Sequence, residues 1–250
     1  MPDVLDVPEE QTPPGTDDTG TPAPATVAHH AVEDRADDNA DAAGDDSAEA
    51  ATSGSPARKR PKPGERRVQI LQTLAGMLEQ PGAERITTAA LAARLAVSEA
   101  ALYRHFASKA QMFEGLIEFI ESSVFTLVNQ ITERESSGAV QAQKMVAVLL
   151  QFGEKNPGMT RVMVGDALVF EHERLTLRMN QFFERVESQL RQSLRTAAEA
   201  AGSPTPTVDA QALASALTAL AIGRLQRYAR SGFKRLPTEH LEPALRRLTT

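Results

Sequence analysis

The chain has 250 residues with 27 basic and 33 acidic side chains, a net charge of −6, and no cysteine. Disulfides, thiol chemistry and the usual zinc ligands are therefore excluded. No apolar run approaches the ~20 residues of a membrane-spanning helix, and the first residues lack the basic-then-apolar order of a signal peptide.

The charge is unevenly spread. Residues 1–55 carry 14 acidic side chains and one basic, Arg35, a net of −13, which leaves +7 on the rest. This segment is rich in Asp, Pro, Ala, Thr and Gly and has no aromatic residue. It cannot bury enough apolar area to offset the entropy of ordering, so residues 1–57 are expected to form a disordered acidic tail. The tail serves either to solubilise the chain or to compete with nucleic acid for neighbouring basic surface. A basic run follows: Arg58, Lys59, Arg60, Lys62, Arg66 and Arg67, with Pro61, Pro63 and Gly64 keeping it extended. An extended cationic arm can follow a phosphate backbone or enter a minor groove, and a charge-biased linker is the plainer alternative.

Glu65–Gln80 has helical periodicity, with Val68, Leu71, Leu74, Ala75 and Leu78 on one expected core face and Pro81–Gly82 as the stop. Residues 87–109, TTAALAARLAVSEAALYRHFASK, have the shape of a helix-turn-helix. Leu91 and Leu95 share a face of the first short helix, Val97 sits in the turn, and Leu102 and Phe106 share a face of the second. Thr87 and Thr88 precede the first helix and Ser98 the second, each placed to cap or to reach a phosphate. Glu99 and Ala100 fall in the first turn of the second helix, nearest to base edges. Glu99 can accept a hydrogen bond from cytosine, but as an acid at a helix N-terminus it reads slightly better as a dipole partner. The solvent face of that helix offers Tyr103, Arg104 and His105, with Lys109 just beyond. Tyr103 is expected at a phosphate or base, Arg104 and Lys109 at phosphates. His105 divides evenly between a phosphate contact and a structural role.

Ser108 looks like the cap of a longer helix to about Glu133, with Phe113, Leu116, Ile117, Ile120, Val124 and Val128 as its core stripe. Further helices are expected over Val140–Glu154, Met159–Phe170, Glu173 to about Ala201, Val208–Phe233 and Pro237–Leu248. No segment alternates with period two, so no sheet is expected. The reading is all-α: the tail at 1–57, the basic arm and a three-helix DNA-binding head at 58–109, and a helical dimerisation and partner-binding body at 110–250. In the body, Leu213, Ala216, Leu217, Leu220 and Leu225 line one helix face, with Gly223 permitting close approach. Those residues would serve a dimer contact or an intramolecular core equally well.

The run ITTAALAARLAVSEAALYRHFASKAQMF, ending in the pattern L-Y-x-H-F-x-x-K, resembles the DNA-binding head of TetR-family regulators. Ala96 holds the turn position that is glycine in many members, where a left-handed conformation carries a steric cost. The resemblance narrows to a nucleoid-occlusion branch of the family through RVQILQTLAGMLE, SEAALYRHFASKAQMFEGLIEFIESS, FGEKNPGMTRVMVGDALVFEHERL and QFFERVESQLRQ, about residues 66–195, and through FKRLPT. It implies a TetR-like fold and a cytoplasmic, nucleoid-associated homodimer on palindromic double-stranded DNA. It further implies that the bound dimer antagonises assembly of the tubulin-like division protein FtsZ. Glu118, Phe119, Glu121, Lys155 and Asn156 are the candidate FtsZ surface; a pocket with Phe and Lys suits an acidic-apolar tail. Phe119 reads either as a partly exposed aromatic or as ordinary core edge. The alternative function is a ligand-responsive TetR-type repressor, which the scarcity of aromatics in the body disfavours.

No enzyme and no cofactor are expected. The five histidines (29, 30, 105, 172 and 240) contain no helical i,i+4 pair, and no glycine loop or nucleophile–base pair is evident. Glu118, Glu121 and Glu133 read as solvated surface groups.

Overall fold

The computed structural model describes residues 64–80 and 85–249. The acidic tail, the arm residues Arg58, Lys59, Arg60 and Lys62, and the Pro81–Gly82 stop lie outside these residues. Every regular element among the described residues is helical.

Helix α1 spans Glu65–Leu78 and buries Ile70, Leu74 and Leu78, spaced by four, with Leu71 and Ala75 packed at the flank. Val68, expected in this stripe, is 54% exposed. It stands about 120° round the helix from Leu74, so the face selected by packing passes it by. Helices α2 (Thr88–Arg94) and α3 (Glu99–Tyr103) follow, each with its expected cap. The Thr87 hydroxyl accepts from the Ala90 N–H at 3.1 Å, and the Ser98 hydroxyl from the Ala101 N–H at 3.3 Å. Between them Ala96 takes a left-handed φ of 53°, the conformation that favours glycine.

Helix α4, Lys109–Arg134, starts on the Ser108 cap and buries the whole expected stripe together with Met112 and Gly115. Helix α5 spans Gly138–Lys155 and α6 spans Pro157–Met163. The Asn156-Pro157-Gly158 run that ends α5 also begins α6, because a proline at the first helical position lacks only an N–H that had no partner anyway. The single helix expected over 159–170 is interrupted. Gly165, at φ 86°, ends α6, and a short 3₁₀ turn at Asp166–Leu168 leaves Val169 and Phe170 exposed. Helix α7, Glu173–Ala200, buries Leu175, Met179, Phe182, Phe183, Val186, Leu190 and Leu194 as its periodicity requires. Helix α8, Pro206–Arg230, stops short of Phe233, whose own φ is 65°. Helix α9 begins only at Leu241.

The head, α1 to α3, packs on the N-terminal half of α4. The body is built from α5, α7 and α8, with α6 against α1 and α9 against α5. One contiguous core runs from Ile70 and Leu102 through Leu116 and Ile120 to Leu149, Phe182 and Leu217. Head and body are therefore joined by packed side chains. At Gly158 the two meet backbone to backbone: an added Cβ would lie 2.1 Å from the Ala75 carbonyl oxygen of α1.

Candidate nucleic-acid interface

Helix α3 is held by its apolar side. Leu102 and Phe106 are completely buried, which turns Ala100, Tyr103, Arg104 and His105 outward. Tyr103 is 47% exposed, and Arg104 and His105 are exposed beside it. A phenol, a guanidinium and an imidazole thus share one surface with the first turn of the helix, the arrangement that places side chains at base edges and phosphates of a major groove.

Thr87 and Ser98 have capping roles, as expected. The Thr88 hydroxyl donates to Glu99 Oε2 at 2.6 Å, linking the two helices of the motif. Glu99 is the first residue of α3, so its carboxylate both accepts that bond and faces the positive end of the helix.

Three of the expected cationic contacts have partners within the chain. Arg66 and Arg67 belong to α1 and not to an extended arm, since the helix begins at Glu65. Arg66 donates to Gln69 Oε1 at 2.8 Å. Arg67 donates to the His105 carbonyl at 2.8 Å, with its guanidinium 4.0 Å above the Phe106 ring. It pins the corner after the recognition helix. Lys109 does not extend outward: its Nζ pairs with Glu171 of the body. Sequence spacing gives no sign of that partner, which lies 62 residues away.

On the body, Glu118 and Phe119 are exposed on α4, and Phe119, at 49% exposure, lies 6.2 Å from the Phe152 ring of α5. Asn156 donates its Nδ2 to the Phe152 carbonyl at 2.8 Å, and Lys155 is exposed next to it. Phe152 therefore connects the two halves of the candidate partner surface. Glu121 is not a free solvated group: it accepts from Arg178 Nη2 at 2.6 Å and Nε at 3.3 Å. Glu114 pairs likewise with Arg174 at 2.8 Å. The Glu121 hydrogen bond holds the Arg178 guanidinium pKa above its ordinary value, and the carboxylates of Glu118 and Glu114 act in the same direction. On α8, Leu217 and Leu225 are core residues, and Leu213 and Leu220 pack at its edge. The outward line consists of Ala212, Ala216, Ala219 and Gly223.

A three-helix head with a capped helix-turn-helix, continuous with a helical body, defines a TetR-type DNA-binding protein. Residues 70–116 match the family of bacterial regulatory proteins of the TetR type, and residues 137–249 match the SlmA-like family described as a tetracyclin-repressor-like C-terminal domain. The chain is 53% identical to the nucleoid occlusion factor SlmA of Photobacterium profundum and 52% identical to that of Vibrio cholerae. Each match covers 71% of this chain and 90% of the relative. It belongs to the SlmA family of nucleoid occlusion factors. Among solved structures, the Bacillus subtilis regulator FadR in complex with stearoyl-CoA has a TM-score of 0.58 at 12% identity, covering 73% of this chain and 97% of that one. The Thermus thermophilus TetR-family regulator PfmR has a TM-score of 0.56 at 19% identity, covering 72% and 97%. These two share the fold.

Proposed function

We propose that the chain binds palindromic chromosomal DNA as a homodimer and, so bound, antagonises FtsZ assembly over the nucleoid. The observation that carries this reading is the recognition surface itself, Tyr103, Arg104 and His105 turned outward by the buried Leu102 and Phe106, in a chain of the SlmA family. Arg104 and the arm residues Arg58, Lys59, Arg60 and Lys62 neutralise phosphates, each adding about 0.9 to the log–log salt slope of binding. Tyr103 and Ala100 supply discrimination. The outward small residues of α8 let two copies approach closely, and a two-fold dimer places its half-sites about 34 Å, or a multiple, apart.

The FtsZ contact is assigned to Glu118, Phe119, Lys155 and Asn156. An exposed aromatic next to a cation suits an acidic-apolar peptide. This activity belongs in the cytoplasm, on the nucleoid. The test is a titration of a labelled FtsZ C-terminal peptide with and without a palindromic duplex. Binding is expected to tighten with DNA, and Phe119→Ala is expected to weaken it about 30-fold, the size of an interface hot spot, with DNA affinity unchanged. No capture in either condition, together with release from DNA by a small metabolite, would establish a ligand-responsive repressor instead.

A further inference from the structure

Lys109 is the first residue of α4, and the chain reaches it from the recognition helix through the short connection Arg104–Ser108. That connection is fixed at several points. Arg67 binds the His105 carbonyl, Ala107 N–H donates to Gln111 Oε1 at 2.6 Å, and Ser108 caps α4. A shift of the start of α4 therefore carries α3 with it. Lys109 also lies 5.7 Å from the Phe113 ring centroid, and its Nζ pairs with Glu171, which sits in the body between the 3₁₀ turn and α7. The Lys109 side chain is 26% exposed and that of Glu171 only 8%.

We propose that Glu171 is a positioning residue for DNA recognition: from the body, and without touching DNA, it sets the orientation of α3 through Lys109. Were Lys109 to leave for a phosphate, it would strand a nearly buried carboxylate without its counter-ion, an arrangement the interior disfavours strongly. The pair stays closed on DNA, and the lysine contributes to geometry and not to phosphate neutralisation. The head has a second, steric anchor at Gly158, where α6 abuts the α1 backbone. With both anchors in place the recognition helix has one orientation relative to the body.

The proposal rests on the DNA-binding reading, and the experiment separates the two. The full-length protein is titrated with two duplexes of equal length over a range of salt. One is a palindrome that the wild-type protein selects from a random pool, and the other is its scrambled version. Glu171→Gln is expected to weaken binding to the selected duplex about tenfold, leaving the scrambled duplex within about twofold and the salt slope unchanged. Lys109→Met should do the same, Lys109→Arg should retain selectivity, and Lys109→Met with Glu171→Gln should be no worse than either alone. A purely structural role would lower the melting temperature without changing the ratio between duplexes. If Glu171→Gln does not fold, the double variant, which leaves neither charge unpaired, carries the comparison. Tighter binding by Glu171→Gln, or a slope lowered by about 0.9 in Lys109→Met, would make Lys109 a phosphate ligand and overturn the proposal. So would an unchanged ratio in both variants. A wild-type protein that cannot separate the two duplexes overturns the DNA reading as well.

Discussion

Arg67 and Arg104 are both cations of the head, and the structure gives them opposite work. Arg67 is held against the head itself, hydrogen-bonded to the His105 carbonyl and stacked over Phe106. Arg104 caps the end of α3 and is exposed. Arg104→Ala should weaken binding to every sequence alike and reduce the log–log salt slope by about 0.9; an unchanged slope removes Arg104 from the phosphate contacts. The division between buried Leu102 and Phe106 and outward Tyr103 and Arg104 was legible in the sequence because it is set by helical period alone. The caps were legible for a related reason, since a hydroxyl three residues before a helical N–H acts locally. The partners of Lys109, Arg67 and Glu121 were not: each lies 38 to 62 residues away in the chain, where neither period nor capping carries information.

Among the elements, α6 decides how the head meets the body. Its first turn contains Gly158, and a methyl group there would collide with the Ala75 carbonyl of α1. Because the obstacle is backbone, it cannot move aside. Gly158→Ala should cost about 2 kcal/mol, typical of overpacking, and lower the melting temperature by about 2–4 °C per kcal/mol. Gly76→Ala on α1 is the control. It meets nothing within 4 Å and should stabilise the chain by about 0.5–1 kcal/mol, as alanine does in a helix interior. Two melting curves check the pair, and a fall for both or for neither would contradict the close approach. Long helices such as α4 and α7 could be placed from their stripes. The break at Gly165 could not, because it lies within an apolar run that satisfies helical spacing on both sides. On α1 the expected face was right at Leu74 and Leu78, with Leu71 and Ala75 packed at its flank, and wrong at its N-terminal end, where Ile70 is buried and Val68 is exposed.

For the whole molecule, a single core carries the head and body together, so the recognition surface and the surface around Phe119 are presented by one packed unit. The all-helical architecture followed from periodicity and the family from the pattern around Leu102–Lys109. The two roles open to the expected face of α8, core and dimer contact, could be separated only by packing: Leu217 and Leu225 are buried in the core, whereas Ala216 and Gly223 are exposed. A helix-turn-helix on such a unit can regulate one gene or mark many places on a chromosome, and the two uses differ in where the protein sits. Mapping the sites occupied in cells therefore tests the proposed function most directly. Many palindromic sites dispersed over the chromosome and sparse near the replication terminus are expected; a single site beside the protein's own operon would contradict nucleoid occlusion.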